Sequence, residues 1–274
     1  MQTVYDREVT LHSRNAQGRN ALTERAGRAA VFYKPAHARK TQPGAWRRLA
    51  AVALCCGALL CAFRLYGRAR SRFGVQLPVR TVLQNPELPN GCEITSCCEV
   101  LHYLGFAPDK CELADYYLPR SAQWYGADPD EVYMGNPHLD DGSPETGYYC
   151  FAGPIVQAAN AYLAVQGSSC RAYDLTGAEE AELASQLQAG NPVIFWATLH
   201  FGDIQHDPCG EYDLPGGRRH EVLHTLHCMV LCGMDDQNFV VADPLDFNRV
   251  VPRVQFMKIY RQLGRRAVVI KKDS

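Results

Sequence analysis

Residues 84–106 read QNPELPNGCEITSCCEVLHYLGF, with three cysteines inside seven positions: Cys92, Cys97 and Cys98. The turn ELPNG opens an apolar-periodic run that Gly105 closes, so a helix is expected over Cys92–Leu104. On a helical wheel, Ile94, Cys97, Cys98, Leu101 and Leu104 share one stripe, which makes Cys97 and Cys98 core residues. Cys92 lies opposite that stripe, in the first turn. Unpaired backbone N–H groups and about half a unit of positive charge collect there. A thiolate at such a place is stabilised, so its pKa is expected to fall towards neutrality. Gly91, just before it, would let a substrate come close to the sulfur. Cys92 is therefore the candidate nucleophile, and it requires a base.

The runs HCMVLCGM (227–234) and NFVVADP (238–244) flank MDDQN and read as a β-hairpin. With the turn centred near residue 235, His227 and Asp243 should face each other across neighbouring strands, about 5 Å apart. An aspartate that accepts the imidazole N–H sets the tautomer and stabilises the cation. A one-residue slip in register would separate the two. His220 and His224 compete for the base role, but in the polar stretch GGRRHEVLHT they read as exposed loop histidines. A zinc site from His220, His224, His227, Cys228 and Cys232 would cross a loop and a strand. On a strand, Cys228 and Cys232 share a face and His227 points to the other. No metal and no cofactor are expected. Gln84, eight residues before Cys92, could join the Cys92 N–H as an oxyanion hole.

The rest of the chain from Gln84 onward reads as one α+β unit. Residues 152–165 and 179–190 are expected helices, and residues 191–198, 227–234, 239–244 and 266–272 expected strands. Residues 116–147, rich in Asp, Pro, Gly and Tyr, read as a long irregular segment, often a lid or binding loop. Its Trp124, Tyr125 and Tyr133, with Tyr148 and Tyr149 just beyond, are candidates to line a substrate cleft.

Charge divides the chain. Residues 1–80 carry 15 Lys and Arg against 3 Asp and Glu, a net of +12, and residues 81–274 carry 13 against 26, a net of −13. A basic tail on an acidic domain argues against nucleic-acid binding by that domain. Residues 1–48 lack the apolar content to order themselves. Leu49 to Phe63 is uncharged and flanked by arginines. A cleaved signal peptide or a buried helix would also fit; a short membrane anchor over 49–66 is the reading adopted. The expected order is a basic disordered tail (1–48), an anchor (49–66), a linker (67–79) and a catalytic domain (80–272). The flanking charges, five against four, barely decide the orientation, and the whole basic tail tips the domain slightly towards the outside of the cell. Nine of the 12 cysteines follow residue 80, and their spacing suggests no disulfide scaffold.

Taken together, QNPELPNGCEITS, GNPVIFWAT, HCMVLCGMDD and VADP resemble the bacterial domains similar to cysteine-peptidase family thirty-nine. These are papain-fold relatives of the bacteriocin-leader-processing peptidases, and the likeness spans about residues 80–271. It implies a papain-like fold in which an N-terminal nucleophile helix packs on an antiparallel sheet. It also implies Cys92 as nucleophile, His227 as base, Asp243 as its orienter and Gln84 as oxyanion donor. The Cys97–Cys98 pair departs from the small or apolar residues expected there. The resulting expectation is a membrane-anchored thiol hydrolase that cleaves a peptide or amide bond through an acyl-enzyme. Its partner would be a peptide or peptide-like substrate. A catalytically silent binding module, and a thiol acyltransferase or peptide ligase using the same triad, are the alternatives.

Overall fold

The computed structural model describes residues 49–50, 52–61 and 74–273. Residues 49–50 and 52–61 form helix α1, on which Leu49, Val52, Leu54, Leu59 and Leu60 are exposed. Among the described residues, no helix is long and apolar enough to cross a membrane. The expected anchor runs on into positions outside the described residues, as do the basic tail and most of the linker. The chain divides into Met1–Cys55 and Cys56–Ser274, and the second unit carries the site.

In that unit the sheet begins before residue 80. Strand β1 (Val75–Gln76) pairs with β6 (Leu226–Met234), so part of the expected linker belongs to the folded body. The main sheet runs β2 (Cys170–Asp174), β9 (Ala267–Lys272), β3 (Val193–Thr198), β6, β7 (Asn238–Ala242) and β8 (Arg249–Pro252), and neighbours are antiparallel. A separate hairpin joins β4 (His206–Asp213) to β5 (Arg219–Leu223).

The strand side chains alternate between two cores, as the period of two requires. Ile194, Trp196, Cys228 and Val230 face one core, which α2 (Cys92–Tyr103) and α4 (Ala152–Val165) cover. Val193, Phe195, Ala197, Met229 and Leu231 face the other, under α5 (Glu180–Gln188) and α6 (Arg253–Gln262). Both faces of the central strands are therefore buried, which is why VIFWAT and CMVLC are apolar without alternation. The expected nucleophile helix on an antiparallel sheet is one layer of this arrangement, and the α5–α6 layer lies on the far side.

The expected α4 matches the observed one residue for residue. Strands β2, β4, β5 and β8 and helices α3 (Lys110–Tyr116) and α6 were not expected. The Asp109 side chain starts α3 by accepting the N–H groups of Cys111 and Glu112, an N-cap visible in DKCE.

Residues 117–151 contain no helix or strand beyond two isolated bridges, Arg120 to Tyr133 and Asn136 to Thr146. Two glycines let this segment fold closely on itself. A Cβ on Gly135, whose φ is +79°, would lie 2.1 Å from the Thr146 oxygen, and one on Gly147 would lie 2.5 Å from the Asn136 oxygen. Arg218 bonds Asp128 and Asp130, tying the β4–β5 turn to the segment.

Candidate active site

The turn that leads into Cys92 is held from outside its own helix. Asn90 donates its N–H to Pro137 O (3.3 Å) and its side chain to Leu139 O (2.9 Å), while the Tyr133 hydroxyl donates to Asn90 O. A Cβ on Gly91 would sit 2.7 Å from the Leu88 Cβ. Gly91 thus makes room for the buried Leu88 rather than for a substrate.

Helix α2 has no exposed face at its start, because every residue from Cys92 to Leu101 is buried. The wheel placed Cys92 on an open side; in the fold that side is closed by the chain packed around α2. The Cys92 thiol donates to Glu93 Oε2 (3.4 Å), and the Cys228 N–H donates to Cys92 Sγ (3.3 Å). Burial, followed by the neighbouring Glu93 charge, pushes the Cys92 thiol well above its ordinary value, against the Cys228 N–H bond. The thiol is thus raised rather than lowered as the helix end suggested, with loss of hydration the largest cause.

His227, on β6, bonds Asp243 Oδ1 through Nε2 at 2.7 Å, and both side chains are buried. The expected directly opposed pair is instead diagonal. The observed partners are Val230 with Ala242 and Leu231 with Val241, and a bulge lies between Leu231 and Gly233. Extended three residues past the ladder, this register sets residue 245 opposite His227 and leaves Asp243 as the same-face diagonal neighbour. The Leu245 N–H also reaches Asp243 Oδ1 (3.0 Å), and Arg249 from β8 pairs with Oδ2. Burial would raise the Asp243 carboxyl, but the His227 bond and charge, the Leu245 N–H and Arg249 together hold it below its ordinary value. Arg249 was missed in the sequence, where no motif links it to Asp243.

Gln84 reaches the same place through a fixed backbone. Its N–H donates to Pro244 O (2.8 Å), and the Lys110 ammonium donates to its carbonyl (2.8 Å) and to Glu87 (2.7 Å). Gln84 Nε2 donates to Pro89 O (2.6 Å), and Oε1 is buried without a partner.

Gln84, Cys92 and His227 line one cavity of about 320 Å³, together with Asn90, Asp140, Tyr148, Tyr149, Asp207, His224 and several leucines. That volume falls within the ordinary range for a ligand site. Of the aromatic residues expected in the cleft, Tyr148 and Tyr149 line it. Trp124 packs on Tyr148, Tyr125 on Trp124 and Tyr212, and Tyr133 is wholly buried. His220 is not an exposed loop residue: it lies on β5, buried, in a hydrogen bond with the Tyr149 hydroxyl (3.0 Å). His224 is exposed, beside Asp207. Among the described residues no group of three or more His, Cys, Asp or Glu could hold a metal ion. The described cysteine side chains are free thiols.

With this geometry in place, comparison with known proteins is informative. The model of the Peptidase_C39 like family matches residues 76–268. The chain belongs to that family. It is similar to the uncharacterised protein YvpB of Bacillus subtilis, 33% identical over 208 residues, covering 73% of this chain and 78% of the relative. It is also similar to the crystal structure of a protein described as a C39-like peptidase from Bacillus anthracis. That likeness has a TM-score of 0.63 and 31% identity and covers 73% of this chain and 98% of the other. Membership of the C39-like family supports a hydrolase of the cysteine-peptidase class on a papain-like α+β fold.

Proposed function

We propose that this C39-like domain cleaves peptide or amide bonds with Cys92 as nucleophile, His227 as base and acid, Asp243 as orienter and Gln84 as oxyanion donor. The observation that carries the proposal is the buried His227–Asp243 pair opening onto the same cavity as the helix-terminal Cys92. With Nε2 held by Asp243, Nδ1 is the nitrogen left to take the Cys92 proton. The thiolate attacks the scissile carbonyl and forms a tetrahedral adduct. Its oxyanion is received by the Cys92 N–H, which has no acceptor within the first helical turn, and by the second Gln84 Nε2–H. His227 protonates the departing amine, and water then resolves the thioester with His227 again as base.

The test is digestion of a mixed peptide pool by the full chain, with cleaved bonds and any acid-trapped acyl adduct located by mass spectrometry. Cleavage and a Cys92 adduct, both lost in Cys92→Ala, are expected. Neither product would sink the hydrolase reading and leave a binding module, and transfer of the acyl group to an added amine would make the protein an acyltransferase. The uncharged run Leu49–Phe63 with its basic flanks motivates a membrane tether for this activity. Release of the full chain from membranes by alkaline carbonate would remove that part of the proposal alone.

A further inference from the structure

One group beside the nucleophile has no part in the chemistry above. Glu93 is wholly buried in the first turn of α2, directly after Cys92. Its Oε2 accepts the Cys92 thiol at 3.4 Å and its Oε1 accepts the Cys150 N–H at 3.3 Å. The sulfur has hydrogen bonds to Glu93 and to the Cys228 N–H, and none to His227. A buried carboxyl within reach of the nucleophile has two opposite effects on it, depending on its proton.

We propose that Glu93 is a positioning residue for Cys92: ionised, it holds the sulfur as a thiol, and neutral, it donates a hydrogen bond to the sulfur and supports the thiolate. The proposal rests on the peptidase reading of Cys92 and His227. In the ionised form the carboxylate accepts S–H, and its charge opposes a second negative charge nearby. In the neutral form Oε2–H donates to sulfur beside the Cys228 N–H. The thiol proton then passes to His227, and Glu93 keeps its own. The titratable groups that interact with Glu93 are Cys92 on α2, Tyr133 in the long segment, Tyr149 and Cys150 before α4, and Cys228 on β6; none is a cation. Burial therefore wins over the hydrogen bonds, and the Glu93 carboxyl is pushed up to about 7. The switch lies in the neutral range, with the supporting form on the acid side.

The test is the rate of iodoacetamide labelling at Cys92, read by mass spectrometry of its peptide across pH 6 to 8.5, in the reduced full chain. Wild type is expected to slow about tenfold between pH 7 and 8.5, as Glu93 loses its proton. Glu93→Gln, neutral throughout and still able to accept from Cys150, is expected to show no falling limb. A purely structural Glu93 would change stability and leave the shape of the profile alone. Wild-type labelling that rises steadily overturns the proposal without any variant. A falling limb that persists unchanged in Glu93→Gln overturns it as well. The His227→Ala chain separates the two readings: a Cys92 rate indifferent to His227 counts against the base assignment, whereas the difference between wild type and Glu93→Gln reports on Glu93 itself.

Discussion

The two halves of the site are built by different means. His227 and Asp243 stand on and just beyond adjacent strands, and both Asp243 oxygens are engaged, one by His227 and Leu245 and the other by Arg249. Cys92 sits on a helix end whose position is set by Pro137, Leu139 and Tyr133, all from the long irregular segment. On that side Gln84 Oε1, Thr95 Oγ1 and Glu99 Oε2 are buried without partners. Both halves are buried, and each keeps an unpartnered polar atom, Arg249 Nε on the strand side. Strand pairing, however, holds His227 on a carboxylate, whereas tertiary packing leaves the Cys92 sulfur beside Glu93.

The comparison can be broken at several points. The largest effect is expected from His227→Ala, which should lower peptide cleavage about a thousandfold while the chain still folds, since general acid–base catalysis contributes on that scale. Cleavage within a few fold of wild type would show that the strand half is not the catalytic base. Gln84→Ala should slow cleavage about a hundredfold with little change in KM, because an oxyanion donor acts in the transition state. A rise in KM alone would make Gln84 a substrate contact instead.

Gly91→Ala tests how firmly the cysteine half is held. The new Cβ meets Leu88 at 2.7 Å, and overpacking of this kind costs about 1–3 kcal/mol. Denaturant unfolding measures it; an unchanged midpoint would show that the turn gives way freely.

The smallest effect concerns Glu99, whose carboxyl burial pushes up to about 8 while Oε1 accepts the Val82 N–H. A raised carboxyl binds its proton in the folded chain where the unfolded chain has lost it, so stability falls as pH rises from about 4.5 to 8. Glu99→Gln should therefore raise the thermal midpoint more at pH 8 than at pH 5. Equal gains at both pH values would show that Glu99 is already ionised in the folded chain.

Much of this could be anticipated because some signals are local. Helix α4 and strands β3, β6 and β7 follow from apolar runs bounded by turn residues, and the His227–Asp243 pairing follows from a short hairpin. The hairpin centres between residues 236 and 237 rather than at 235, and the one-residue bulge at Leu231–Gly233 returns His227 and Asp243 to one face, diagonal rather than opposite. The β4–β5 hairpin was not legible. Its sequence, HDPCGEYD followed by a Pro-Gly-Gly turn and RHEVL, carries Pro, Gly and charged residues that argue against strands.

The sequence by itself determined which residues the proposal draws on: Cys92 after a glycine turn, His227 and Asp243 on one hairpin, and Gln84 nearby in the chain. Spacing and local propensity are properties of neighbouring residues, so they survive without a fold. Only the tertiary structure decided the surroundings of the Cys92 thiol. Its burial, the Glu93 contact, the Cys228 N–H and the Arg249 partner of Asp243 come from segments far apart in sequence. A pKa depends on how much water and charge surround a group, and that is known only once the chain has closed around it.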